Sequence, residues 1–133
     1  GGMMPLPMAK QEYLEVSTSV SKDFVVQVVN IDADLFIDID SSYEEIVVHV
    51  IGPESCVKDI SVDEGDKHRK VLKISRGWKE DVFFFRPIAV SGGNVYTRAI
   101  IRLKIPEGTL LNISKVRGFI RVNSSKSQVE ISK

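Results

Sequence analysis

Cysteine and histidine are scarce in this sequence, which limits the chemistry that depends on them. The chain has one cysteine, Cys56, and two histidines, His49 and His68. One cysteine excludes an internal disulfide, and a zinc site needs three or four converging ligands, usually in spaced pairs. These three residues show no such spacing, and the Walker, dinucleotide-binding and nucleophile-elbow motifs are also missing. We therefore predict no metal, no cofactor and no enzymatic activity.

Long apolar segments are missing as well. The longest runs cover residues 24–29, 46–51 and 82–85, whereas a membrane-spanning helix needs about 20 residues. No basic segment precedes an apolar one near the start of the chain, so we expect neither a signal peptide nor a transmembrane segment. The localisation stays open, although these features and the single cysteine favour the cytoplasm.

The net charge is zero, but the two halves of the chain carry opposite charge. Residues 1–66 hold 3 lysines against 14 carboxylates, a net charge of −11, and residues 67–133 hold 15 basic residues against 4 carboxylates, a net charge of +11. The halves could interleave in one fold and neutralise each other across neighbouring strands, which is the interpretation we favour. Alternatively, they could form separate acidic and basic surfaces that guide association.

Apolar and polar residues alternate with a period of two along most of the chain, which is typical of half-buried strands. No helical period extends over ten residues, so we predict about ten short strands and no substantial helix. Residues 24–31 are apolar on both faces, which predicts a central, fully covered strand, and residues 95–105 form the longest predicted strand. The other predicted strands cover residues 14–20, 35–40, 45–51, 57–62, 71–74, 82–85, 111–116, 119–122 and 129–131.

These strands predict an all-β domain over residues 12–133. The spacing of turn signals favours a β-sandwich that grades into short β-solenoid rungs after Pro106. Residues 1–11 contain two prolines and no periodicity. We expect them to be a flexible leader, with Gly1 and Gly2 as a tag remnant.

An acidic cluster follows the second predicted strand. Asp38, Asp40 and Ser42 begin like a calcium-binding loop, but that loop needs glycine at its sixth position and glutamate at its twelfth. Here Tyr43 and His49 stand there, so the calcium pattern fails. Alternation instead places the carboxylates on an outer surface. The predicted acidic face consists of Asp32, Asp34, Asp38 and Asp40.

Basic residues alternate along the strand predicted at residues 95–105 and continue towards the C-terminus. Tyr96 could add a stacking surface for nucleic acid, but the balanced charge and the single exposed aromatic residue argue against that partner. We expect a protein partner or self-association instead. The predicted basic face consists of Arg98, Arg102, Lys104, Arg117 and Arg121.

The C-terminal third resembles a known family. Residues 102–109 (RLKIPEGT) end a strand in Pro-x-Gly, residues 111–114 (LNIS) follow as a short strand, and residues 118–122 (GFIRV) open the next with glycine. This order is similar to that of the putative-adhesin, or toastrack-like, β-solenoid domains, and residues 35–40 and 45–52 are similar to the first rungs of that family. The resemblance implies a non-enzymatic scaffold, often linked to the cell envelope or to adhesion, without catalytic residues to transfer.

A second resemblance is to the α-crystallin-type small heat-shock domain. It rests on Pro106, on Gly118-Phe119-Ile120, and on the tail motif Val129-Glu130-Ile131. It implies a chaperone. We rank it below a structural or interaction module that assembles or docks through its charged surfaces. A weak binder of anions or nucleic acid through the basic face is a further alternative.

Overall fold

The computed structural model describes residues 12–65, 68–77, 86–88, 96–124 and 129–132. These residues form eleven strands and one helix of four residues. The elements are β1 (Tyr13–Ser21), β2 (Val25–Asp32), β3 (Asp34–Asp40), β4 (Glu45–Pro53), α1 (Glu54–Val57), β5 (Ile60–Asp63), β6 (Val71–Arg76), β7 (Arg86–Ile88), β8 (Ile100–Pro106), β9 (Leu111–Arg117), β10 (Ile120–Ser124) and β11 (Val129–Ser132).

The strands form two sheets, and the all-β prediction is confirmed. Sheet A has the order β10-β3-β8-β4-β1-β7, and sheet B has the order β11-β9-β2-β6-β5. Within sheet A, β10, β3 and β8 run parallel, whereas β4, β1 and β7 each run antiparallel to their neighbours. Sheet B is parallel from β11 to β6, and only the pair of β6 and β5 is antiparallel.

Most of the core consists of side chains that alternation predicted to face inward. In β3 the inward residues Leu35, Ile37 and Ile39 are buried, and Leu103 of β8 lies beside Ile37. Removing such apolar surface from water is the main stabilising contribution to the fold. The remaining members of the core are Leu14, Val16, Val20, Val26, Val28, Ile31, Ala33, Ile46, Val48, Val50, Val57, Ile60, Val62, Leu72, Ile74, Ala99, Ile101, Ile105, Leu111, Ile113 and Val116.

β2 and β9 share a bend near their ends. Asn30 and Lys115 both have positive φ, of 57° and 53°. The registers place them side by side, because Val29 lies next to Ser114 and Ile31 next to Val116. Such a residue interrupts strict alternation. Buried positions in both strands are consequently three residues apart at the bend, before the chain turns towards sheet A.

The corners that follow these bends also lie against each other. Ala33 joins β2 to β3, and Gly118 and Phe119 join β9 to β10. The Ala33 N–H donates to the carbonyl of Arg117 at 3.1 Å, and the Leu35 N–H donates to that of Phe119 at 2.7 Å. A Cβ on Gly118 would lie 2.2 Å from the carbonyl oxygen of Ala33. Only glycine therefore allows the two corners to approach this closely.

Three predictions about strands are wrong. Residues 57–62 do not form one strand, because α1 occupies residues up to Val57 and β5 begins at Ile60. The strand predicted at 95–105 begins at Ile100, so the longest strands among the described residues are β1 and β4, with nine residues each. β2 lies centrally, but its outward side chains are only half-covered because the opposite sheet packs on one face. The predicted strand at 82–85 and the predicted leader lie outside the described residues.

Candidate interaction surface

The outer face of sheet A brings acidic and basic residues into neighbouring rows. Arg121 of β10 lies beside Phe36 of β3, which lies beside Arg102 of β8. One row further along, Asn123 lies beside Asp38, and Asp38 lies beside Lys104. Side chains two residues apart share a face of a strand, so both rows belong to one surface. We call the set Phe36, Arg102, Lys104, Arg121 and Asn123 the arginine strip.

The arginine strip surrounds a shallow groove of about 330 Å³, with Asp38 as a further lining residue. Phe36 is half-buried in its floor, whereas Arg102 and Arg121 are exposed on either side. Among the described residues, no carboxylate forms an ion pair with either arginine. Two guanidinium groups that flank an aromatic ring thus remain available for other partners.

Asp38, the carboxylate nearest to the strip, is engaged by neutral donors. The Tyr43 hydroxyl donates to its Oδ2 at 2.5 Å, and Nδ2 of Asn123 donates to its Oδ1 at 3.3 Å. This hydrogen bond to the carboxylate stabilises the protonated phenol, so the pKa of Tyr43 is raised above its ordinary value. Lys104 instead places its Nζ 5.9 Å from the centroid of the Tyr43 ring, a cation–π contact.

Arg98 is part of a corner rather than of the strip. Its Nη2 donates to Oδ1 of Asp32 at 2.5 Å and to the carbonyl of Arg117 at 2.6 Å. The neighbouring carboxylate of Asp34 accepts the N–H of Phe119 at 3.0 Å. Arg98, Asp32 and Asp34 therefore hold the stacked corners together.

Arg117 and Asp40, the other predicted site residues, lie away from the strip. Arg117 is exposed at the end of β9, in a separate cleft of about 380 Å³ that Lys115 and Arg76 also line. Asp40 ends β3, and its Oδ1 accepts the backbone N–H of Ser42 at 2.9 Å. This hydrogen bond is the main reason that the pKa of Asp40 is lowered.

The predicted acidic and basic residues are therefore interleaved and do not form two separate surfaces. The strand orders alternate segments from the two halves of the chain, as in β10-β3-β8-β4. Within the described ranges, three ion pairs join the halves: Lys70 to Asp23, Arg76 to Asp59 at 3.0 Å, and Arg98 to Asp32 at 2.5 Å. The structure thus supports mutual neutralisation, while a role of these residues in binding stays a prediction.

Sequence reasoning missed Phe36 and Asn123 as members of the surface. The signal for Phe36 was present, because it is a large apolar residue at an outward position of an alternating strand. Tyr96, considered as a stacking platform, precedes β8 and is half-buried, with its ring centroid 5.9 Å from that of Tyr13. Tyr96 therefore does not extend the arginine strip.

Metal ligands do not gather in the described part of the chain: no three His, Cys, Asp or Glu side chains there could hold an ion. His49 lies 2.6 Å from Glu15, measured between Nε2 and Oε1, on the outer face of sheet A. Cys56 is a free, partly exposed thiol in α1. No helix formed by the described residues is long and apolar enough to span a membrane.

No family model matches the chain, and no curated protein matches it in sequence. Similar crystal structures include a putative adhesin from Parabacteroides distasonis (16% identity, TM-score 0.40), one from Parabacteroides merdae (13%, 0.41) and one from Bacteroides fragilis (12%, 0.42). The alignments cover 77%, 86% and 88% of this chain but 35%, 46% and 52% of those proteins, so the chain spans about a third to a half of their length. The descriptions of these neighbours name the same family as the first resemblance, which stays a prediction for this chain. The solenoid and α-crystallin-type features stay predictions.

Proposed function

We propose that the chain is a non-enzymatic interaction module that binds an acidic polypeptide on the arginine strip. The observation that carries this proposal is the pair of exposed guanidinium groups on either side of Phe36. Arg98 and Arg76 each contact a carboxylate of the fold, whereas Arg102 and Arg121 contact none among the described residues. Their unsatisfied donors are therefore free to bind an external carboxylate.

The chemistry of the strip favours carboxylate-bearing partners. A guanidinium presents a planar fork of donors that matches a carboxylate, and it is more weakly hydrated than an ammonium group. The half-buried ring of Phe36 adds apolar contact area between the two charges. Because both arginines are supported by paired strands, their separation changes little when a partner binds.

The test is a titration of the protein into fluorescein-labelled hexaglutamate, followed by fluorescence anisotropy. Binding should weaken as salt is raised, because exposed charges are screened. Arg102→Gln and Arg121→Gln should each weaken binding by about fivefold, since an exposed ion pair contributes up to about 1 kcal/mol. Lys73→Gln is the matched control, because it removes one exposed positive charge from the middle of β6 in the other sheet.

Two results would contradict the proposal. One is equal weakening by Lys73→Gln and the strip variants, which would indicate a response to net charge alone. The other is much tighter binding of an oligothymidine of equal charge to the same strip, which would identify single-stranded nucleic acid as the partner.

A further inference from the structure

β10 is the outermost strand of sheet A, and no described residue pairs with its free side. Its inward side chains Ile120 and Val122 are only half-buried, whereas the equivalent Leu35 and Ile37 of β3 are buried. Phe119, immediately before β10, is 76% exposed. Apolar surface therefore lies along this edge, where one more strand would cover it.

The backbone of β10 has hydrogen-bonding groups directed towards the same edge. The carbonyl of Phe119 accepts the Leu35 N–H, so Phe119 faces β3. Successive residues of a parallel strand direct their backbone groups to opposite sides. Arg121 and Asn123 therefore also face β3, whereas Ile120 and Val122 direct their N–H and C=O groups outward.

Charge indicates which strand the edge would accept. The outward residues of β8 are basic (Arg102, Lys104), β3 presents Asp38, and β10 presents Arg121. The outward charge of a whole strand is therefore positive on β8, negative on β3 and positive on β10, while Arg121 itself lies beside Phe36 and has no carboxylate directly opposite it in β3. Opposite charges on neighbouring strands stabilise their pairing, and like charges destabilise it.

We propose that an extended acidic segment of another protein adds to the free edge of β10 as a further strand. Its apolar side chains would cover Ile120 and Val122, and its carboxylates would lie beside Arg121. This inference rests on the proposed function. It specifies the partner as a strand in which acidic and apolar residues alternate as they do in β3. A second copy of the chain fits less well, because β10 has no carboxylate and would place Arg121 near its own counterpart.

The probe is the labelled, end-blocked peptide Asp-Leu-Phe-Ile-Asp-Ile-Asp, which has the sequence of β3. The control peptide carries lysine in place of each aspartate. Only the acidic peptide should bind. Amide exchange measured by NMR should become at least about tenfold slower at Ile120 and Val122 in the complex, since their N–H groups become hydrogen-bonded, and should change least at Arg121.

Val122→Pro removes one outward N–H without removing a hydrogen bond to β3, and proline is tolerated in edge strands. It should weaken binding of the acidic peptide about tenfold, whereas Val122→Ala, which keeps the N–H, should stay within about twofold to threefold. If Val122→Pro does not fold, the exchange measurement on the unaltered protein decides alone.

The outcomes separate this inference from the proposed function. If acidic peptides bind and Arg102→Gln weakens their binding, but amide exchange at Ile120 and Val122 does not slow, the strand-addition model is overturned. Binding on the arginine strip then stands. If Ile120 and Val122 become protected as the protein alone is concentrated, a second copy occupies the edge and this inference is wrong. If Ile120 and Val122 become protected and Arg121→Gln weakens binding but Arg102→Gln does not, the added strand stands and the proposed binding between the two arginines fails instead.

Discussion

The parallel strands and the antiparallel strands of this molecule are held in register by different means. β1 and β4 pair over nine residues in an antiparallel ladder, and their inward valines and isoleucines determine the register because a shift by one residue would expose them. β3 and β10 pair over five residues in parallel. Their register also depends on the stacked corners at Ala33 and Gly118, which are distant in sequence.

The two regions also differ in how they use charge. On the antiparallel side, His49 contacts Glu15, and the residues beside His49 in the neighbouring strands are Ser17 of β1 and Arg102 of β8. On the parallel side, charged rows run across β8, β3 and β10. The comparison indicates that alternation accounts for the register of the antiparallel strands, whereas the parallel strands also depend on the close approach of Gly118 to Ala33 and on the hydrogen bonds between the two corners.

The largest expected effect comes from Gly118→Ala. Its φ is +137°, and the new Cβ would overlap the carbonyl of Ala33, so the free energy of unfolding should fall by about 3 kcal/mol or more. Gly108→Ala is the control: its φ is +88°, but no heavy atom lies within 4 Å of the new Cβ, and about 1 kcal/mol is expected. Urea denaturation measures both. Equal losses in the two variants would show that the close approach of Gly118 to Ala33 adds nothing to the cost of a positive φ.

A medium effect is expected from Arg98→Gln. The variant loses the contacts of the guanidinium with Asp32 and with the carbonyl of Arg117, at a cost of about 1–2 kcal/mol in the free energy of unfolding. Arg76→Gln removes a single exposed ion pair with Asp59, beside the antiparallel pair β5–β6, and should cost at most about 1 kcal/mol. Denaturation at low and high salt compares them. A larger loss of stability for Arg76→Gln would show that the corner contacts of Arg98 stabilise the parallel strands less than an exposed ion pair stabilises the antiparallel pair.

The smallest effect concerns pH at Asp40, where the parallel strand β3 turns into the antiparallel strand β4. The pKa of Asp40 is lowered in the folded protein, mainly by the Ser42 N–H. Its contribution to stability is therefore present above the ordinary pKa of 3.8 and is lost as pH falls through the lowered value. Asp40→Ala should lose stability at neutral pH and show a shallower decline in acid. Unfolding curves between about pH 6 and about pH 2 test this, and an unchanged decline would remove Asp40 as a contributor.

Much of the fold could be predicted because the relevant signal is local. The inward faces of β1, β3 and β8 follow from a period of two, as do the outward positions of Arg102 and Lys104. The errors arose where other interactions competed with that period. The apolar outward positions of β2 suggested two covered faces, and the alternation before Ile100 continued into a bend that holds Tyr96 and Arg98.

The amino-acid sequence by itself determined that the chain forms strands, which side chains face the core, and that charge is divided between its halves, because these properties depend on each residue and its near neighbours. Only the tertiary structure decided which strands are neighbours. Because of that pairing, Phe36 lies between Arg102 and Arg121, and β10 lies at the edge of sheet A. The same pairing brings Arg98 into contact with both corners. Such contacts join residues 60 to 90 positions apart, as between Asp32 and Arg98 or Asp34 and Phe119. A pattern of neighbouring residues therefore does not predict them.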